Sequence, residues 1–289
     1  MKKFLATLAV APLALGLAAC SSSQTSGASD DKTVKIGIVG EDPVNDKLKE
    51  VAAEKGINVE YSVMTDYNQP NPALKSGDTD MNWFQHIAYL ADYNVNADDK
   101  LNIVGPTVIY PMALFSKNHK SLGEIPEGGN IAIPDDTVNE ARALLLLEAN
   151  NLVKFKKDVK QPTVDDVDTE KSKVKITPVN AQQTVTSMES TDGAVINNDF
   201  LKDAGLNPKD ALAQDDPSNE YAKPYVNLFV STDENKDNET YKEVVDIFHS
   251  PEVQEVVKQE TAGTAVEVKT DVKELRDTLK KTEEEARNK

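Results

Sequence analysis

The sequence predicts two α/β lobes that face one another across a ligand cleft. Three observations predict it. The chain has 289 residues, enough for roughly two domains of the usual size and for a core that needs no staples. Apolar runs at strand period alternate with apolar runs at helical period, beginning with a βαβ unit, which favours a mostly parallel sheet. The composition, 39% hydrophobic and 28% charged, is that of a folded body with a wetted surface. Ligands of open α/β sheets bind beyond the carboxyl ends of the strands, so two such lobes place the site between them.

The first element is an address. Met1-Lys2-Lys3 is a positively charged start, and Phe4 to Ala19 is almost wholly apolar. That run falls short of the about 20 residues a membrane span needs and fits a secretory signal peptide. It ends Leu17-Ala18-Ala19-Cys20, which resembles the bacterial lipobox, and Cys20 is the only cysteine in the chain. Residues 1–19 are therefore expected to be cleaved and Cys20 to carry the lipid, including palmitate. Residues 20–32 form a lipidated N-terminus and flexible tether, rich in Ser and other small polar residues. The expected location is the bacterial cell membrane, lipid-anchored and facing outside the cytoplasm. ATP and reduced nicotinamide are not supplied there, which weighs against kinases and dehydrogenases.

The body follows in alternation. Thr33–Val39 reads as a strand ending at Gly40. Asp42-Pro43 is an N-cap followed by Pro at the first helical position. Val44, Leu48, Val51 and Ala52 share one helical face, and Gly56 closes that helix. Val59–Met64 is the second strand. Asn102–Ile109 reads as strand interrupted by Gly-Pro, and Asn130–Ile133 as a short buried strand. Thr137 with Glu140 suggests a capping box opening a helix that runs to about Asn150. Lys173–Val179 is a strand, Ala181–Glu189 a polar helix, Gly193–Asn197 a short buried strand and Tyr225–Ser231 the last clear strand. Thr240–Thr261 reads as one helix. Val272, Leu275 and Leu279 form a narrow helical stripe in the charged C-terminal tail, which either packs on the first lobe, stays solvated or docks a partner.

Charge and motif content exclude several functions. Lys and Arg total 32 against 49 Asp and Glu, a net charge of −17, so nucleic acid is a poor partner. One Cys and three His leave no basis for a multi-cysteine or His-rich metal site. No nucleophile elbow, zinc-protease motif, phosphate-binding loop or dinucleotide fingerprint is present. No catalytic residue, metal or cofactor is assigned, although a paired-carboxylate hydrolase is not excluded by counting acids. The acidic runs 165–168 and 215–216 lack Ca²⁺-loop spacing and read as solvated loops.

Three features stand out. Arg142 is the only arginine before residue 276 and lies early in a capped helix, suited to gripping a carboxylate; a surface ion pair would explain it equally. Trp83-Phe84-Gln85-His86-Ile87-Ala88-Tyr89 concentrates rings in a chain that is 6% aromatic, and with Tyr67 it could line an apolar slot or simply fill a core. Asn197 and Asn227 sit among buried strand residues and must find hydrogen bonds, from a ligand or from backbone.

These segments together resemble the methionine-binding lipoproteins, the substrate-binding components of methionine ABC importers. The resemblance runs from about 33 to 260 and is carried by DYNQPNPALKSGDTDMNWFQHIAYL (66–90), TVIYPMALFSK (107–117), IPDDTVNEARALLLLEANNL (133–152), GAVINNDF (193–200) and PYVNLFVST (224–232). It implies a periplasmic-binding-protein fold closing by hinge motion, with residues 33–110 plus 226–289 as lobe 1 and 111–225 as lobe 2. It implies that Tyr67, Phe84, His86 and Tyr89 line a pocket for the thioether, since aromatic rings suit a polarizable sulfur. Arg142 would hold the ligand carboxylate, and Asn139, Asn197 and Asn227 would complete the bonds to the amino-acid end. Trp83 is either beside the pocket or a packing residue. Family members often carry Thr directly before the helix Asn; here Val138 stands there, so that contact is not carried over. The implied partners are L-methionine, an ABC permease with its ATPase, and the membrane through the lipid. Alternatives are D-methionine, a methionine dipeptide or another small amino acid as ligand, a surface adhesion lipoprotein, and last an enzyme.

Overall fold

The computed structural model describes residues 32–288. The expected signal peptide, the Cys20 lipidation site and the tether up to residue 31 lie outside the described residues. Among the described residues, no helix is long and apolar enough to cross a membrane.

The chain opens as β1 (Lys32–Val39), α1 (Pro43–Glu54) and β2 (Ile57–Met64), with β1 and β2 parallel. Local chemistry fixes α1. The Asp42 carboxylate accepts from the N–H groups of Val44 and Asn45, the Asn45 side chain accepts from the Asp42 N–H, and Pro43 occupies the first turn. Val44, Leu48, Val51 and Ala52 are its buried apolar face, as the spacing predicts. Then follow α2 (Pro70–Ser76), β3 (Met81–Asn82), α3 (Ile87–Ala97) and β4 (Leu101–Pro106). The expected strand 102–109 is two pieces: β4 ends at Pro106, and β5 (Val108–Ile109) belongs to another sheet.

A second set of elements comes next: β6 (Ala113–Phe115), β7 (Gly129–Pro134), α4 (Thr137–Ala149), β8 (Val174–Val179), α5 (Thr184–Ser187), β9 (Gly193–Ile196) and β10 (Ala213–Gln214). The predicted capping box at Thr137 is not formed. Asp136 is the N-cap, accepting from the Asn139 N–H, while Glu140 accepts from the Val164 N–H instead. The polar helix expected over 181–189 is a 3₁₀ turn followed by the single α-turn of α5.

The chain then returns as β11 (Leu228–Thr232), α6 (Glu239–Phe248), α7 (Pro251–Glu260), β12 (Val266–Glu267) and α8 (Val272–Arg287). The helix expected over 240–261 is two helices, because Pro251 cannot continue the ladder of α6 and starts α7 at its first position. The strand expected from Tyr225 begins only at Leu228, because residues 220–225 form a 3₁₀ segment.

Two five-stranded sheets result, ordered β2-β1-β3-β11-β4 and β10-β6-β9-β7-β8, with β12 and β5 forming a separate two-stranded sheet. Each is mixed. β11 is antiparallel to β3 and β4, and β6 is antiparallel to β9 and β10. These are strands adjoining the crossings between the sheets, and a chain that returns from the far sheet enters from the opposite end. The crossings are stitched together: Thr107 N–H donates to Asn227 O and Asn227 N–H to Val108 O, both at 2.8 Å.

Each sheet has its own apolar core, around Ile36, Leu48, Phe229 and Phe248 in one and Leu114, Ile131, Leu144 and Val195 in the other. Trp83 belongs to the first core, 5.0 Å from the Phe229 ring and 5.3 Å from Phe248. α8 packs on the first sheet's side. Leu275 and Leu279 are buried with Leu90, Leu101 and Ile103, the Arg276 guanidinium donates to Ile103 O and Lys236 O, and Asn94 donates to Glu283 at 2.8 Å.

Candidate functional site

Loops at the strand ends of the two sheets meet in a narrow cavity of about 30 Å³, lined by Tyr67, Phe84, Gln85, His86, Tyr89 and Tyr110 on one side and by Asn139, Arg142, Asn197 and Asp199 on the other, with Asn227 between them. All eight residues singled out in the sequence line this cavity.

Each side chain is held by its own element. His86 is the N-cap of α3, its Nδ1 accepting from the Tyr89 N–H at 3.2 Å. That bond assigns the neutral ring's proton to Nε2, which points at Asn139 Oδ1 3.4 Å away on the opposite lobe. Gln85 beside it is buried in an amide cluster: its Nε2 donates to Asn71 Oδ1 at 2.6 Å and Asn82 Oδ1 at 2.8 Å. This fixes the loop that presents Phe84 and His86. Tyr67 stacks at 5.8 Å from Phe84, 6.1 Å from Tyr89 and 5.3 Å from Phe200, so the rings form one wall across both lobes. Asn139 and Arg142 are three residues apart on α4 and share its face. The Asn139 amide donates to both oxygens of Asp136 at 3.1 Å. Asn197 follows the end of β9, and Asn227 lies on the interlobe crossing, bridged to His86 in the backbone.

Further bonds tie the lobes across the cavity. The Tyr67 hydroxyl donates to Asp199 Oδ2 at 2.6 Å, and Asn180 donates to Asp66 at 2.8 Å. Gly40, at φ +71°, lets β1 end close to Asp199: a Cβ there would sit 3.1 Å from Asp199 O.

The electrostatics favour a neutral but polar interior. Burial, aided by the Arg142 charge, pushes the His86 imidazole down to about 3, so it is neutral at pH 7. Burial pushes Asp199 up to about 7 against the lowering effect of the Tyr67 bond. Burial likewise lifts Asp136 to about 6, opposed by its bonds from Asn139. The Tyr67, Tyr89 and Tyr110 hydroxyls are raised by burial and stay protonated donors. Arg142, 5% exposed, is the cation of the lining. The same lining holds an acceptor in need: among the described residues, the buried Asn197 Oδ1 has no hydrogen-bond partner.

The sequence reading missed Asp215. It is not a solvated loop residue: its carboxylate accepts from Arg142 Nε at 2.6 Å and Nη2 at 3.1 Å, and from the Met112 N–H at 2.8 Å. Its neighbour Asp216 is exposed. Tyr225 was also missed; the Arg142 guanidinium lies 4.1 Å from its ring centroid. Phe200 and Asp199 stand inside a segment recognised only as a whole. A lone buried-helix Arg implies a carboxylate somewhere, but nothing local marks which of 49 acids supplies it.

Comparison with known proteins gives three kinds of match. Residues 34–269 fit the family described as NlpA lipoprotein. The D-methionine-binding lipoprotein MetQ of Escherichia coli (strain K12) is 37% identical over 259 residues, covering 87% of this chain and 93% of that one. Two solved structures align over most of the chain. The substrate-binding protein of a methionine transporter from Streptococcus pneumoniae has a TM-score of 0.75 at 30% identity, covering 82% of this chain and 96% of that one. A nutrient-binding protein from Burkholderia cenocepacia, bound to methionine, also has a TM-score of 0.75, at 37% identity, covering 81% and 99%.

Proposed function

This chain belongs to the NlpA lipoprotein family, and from that premise we propose that it captures L-methionine in the interlobe cavity and delivers it to an ABC importer, a permease with its ATPase. One observation carries the ligand class. The cavity is lined by a buried cation, Arg142, and by a buried acceptor that has no donor among the described residues, Asn197 Oδ1, and these two groups match the carboxylate and ammonium of an amino acid. Between them the walls are mostly rings and amides, with His86 held uncharged and Asp199 lifted toward its neutral form, a lining that suits an apolar side chain. Tyr67, Phe84, His86 and Tyr89 take the thioether, with sulfur–ring contacts worth about 0.3–1.5 kcal/mol each. Asn139, Asn197 and Asn227 bond the amino-acid end. The relatives named for methionine support this reading, and the one from a methionine transporter supports the delivery role.

The same proposal divides the body into lobe 1, 33–110 plus 226–289, and lobe 2, 111–225, hinged at the crossings around Thr107 and Asn227. Cys20 anchors it by lipid to the bacterial cell membrane, facing outside the cytoplasm. The role is capture and transfer, without catalysis.

D-Methionine is the second reading, favoured by the name of the Escherichia coli relative. A thermal-shift screen of unfolded and refolded protein separates the two. A ligand at 100 times its Kd adds about 2.7 kcal/mol. A shift with L-methionine and little with D-methionine supports the first reading. The reverse supports the second, and no shift with either overturns both.

A further inference from the structure

Arg142 is unusual for a ligand-binding arginine because its forked edge is already filled from within the chain. Nε and Nη2 donate to the two Asp215 oxygens at 2.6 and 3.1 Å, and Nη2 also donates to Tyr110 O at 2.9 Å. The guanidinium is stacked 4.1 Å from the Tyr225 centroid. Among the described residues, Nη1 is the one guanidinium nitrogen with no hydrogen bond, and Arg142 lines the cavity. All three restraints come from the segments that cross between the lobes. Tyr110 is on the outgoing crossing. Asp215 begins the return, pinned to Met112 by bonds of 2.8 and 3.0 Å, and Tyr225 ends it two residues before Asn227.

We propose that Asp215 and Tyr225 are positioning residues that aim Arg142 Nη1 at the ligand's carboxylate, so that the cavity reads the carboxylate through a single preset donor nitrogen. The proposal rests on the amino-acid reading of the cavity given above. A planar guanidinium with its fork anchored and its face covered has one remaining direction in which to donate. Binding then needs no reordering of a flexible side chain, a saving in the ordering cost of association. The opposite expectation is equally physical. Asp215 could simply compete with the ligand for Arg142, and removing its charge would then tighten carboxylate binding.

The sign of one change decides. L-Methionine and L-methioninamide, which replaces the carboxylate by a neutral amide, are titrated calorimetrically into the full chain, its Asp215→Asn variant and its Tyr225→Leu variant. With positioning, Asp215→Asn weakens methionine about 10- to 100-fold, from the loss of a charge-assisted bond, while methioninamide changes by less than about threefold. Tyr225→Leu shifts the same ratio in the same direction by about 3- to 10-fold, and it carries the test if Asp215→Asn does not fold. Tighter or unchanged methionine binding overturns the proposal. So does an equal loss for both compounds, which marks general damage. If the unsubstituted chain binds neither compound, the amino-acid reading itself falls, and this inference with it.

Discussion

Asp199 gives the fold a pH dependence that can be worked out in advance. The perturbation is Asp199→Asn. In an unfolded chain an aspartate titrates near about 3.9; here burial in the cleft lifts Asp199 to about 7. Between those values the folded chain holds a proton that the unfolded chain has lost, so stability falls as pH rises through that window. About three pH units at about 1.4 kcal/mol each set a ceiling near 4 kcal/mol. Asp199 keeps some solvent contact, and screening brings the expectation to about 2 kcal/mol. Two other groups act in overlapping ranges. Asp136, lifted to about 6, has the same sign up to that pH. His86, depressed to about 3, has the opposite sign between there and about 6.5. Both remain in the variant, so the difference between wild type and Asp199→Asn isolates Asp199. The asparagine still accepts the Tyr67 hydroxyl. Thermal unfolding at several pH values from about 5 to 8 reads the effect, at about 2–4 °C per kcal/mol for a domain of this size. About two-thirds of that window, from pH 5 to about 7, lies in the measured range, so the wild type should lose about 3–5 °C relative to the variant as pH rises from 5 to 8. Parallel curves for the two proteins would refute the burial of Asp199 as an ionisable group.

Three further outcomes follow. His86 should keep the ¹⁵N signature of its neutral Nε2–H form down to about pH 4, because its pKa lies at about 3; a midpoint near 6.5 would contradict its burial. N-Acetyl-L-methionine, which lacks the ammonium that Asn197 Oδ1 is expected to receive, should bind at least about tenfold more weakly than L-methionine in competition calorimetry; equal binding would remove Asn197 from the ammonium end. Leu279→Ala should cost about 2–5 kcal/mol in denaturant unfolding, because Leu279, on the buried face of α8, is 4% exposed; a loss under about 0.5 kcal/mol would mean that α8 is an appendage.

Local rules made much of the fold legible. The Asp42-Pro43 start and the Val44–Leu48–Val51–Ala52 face depend on neighbours within two turns, and the structure has both. The two helix errors were also local. Pro251 forbids a continuous helix over 240–261, and an aspartate one residue before Thr137 outcompetes it as cap. What stayed hidden depends on long-range meeting. Arg142 and Asp215 are 73 residues apart, and Tyr67 and Asp199 are 132 apart. Nothing in a solvent-like Asp-Asp pair announces that one member will be pinned under a helix. Asn227 was legible as a polar residue in an apolar run, but its true setting, a crossing between sheets, follows only from the pairing of Thr107, Asn227 and Val108. Seven of the eight site residues stood out because rings, a lone Arg and strand-embedded amides are costly to place without partners; Asn139, on α4, was reached only through the family resemblance.

The central claim is that Arg142 and Asn227 grip one methionine between two lobes. Calorimetric titration of L-methionine into refolded wild-type protein, Arg142→Ala and Asn227→Ala tests it directly. The account predicts one site per chain in the wild type and a loss of about 100-fold or more in each folded variant, since leaving a buried charged group without its partner costs about 3–5 kcal/mol. Wild-type affinity retained by both variants would contradict it.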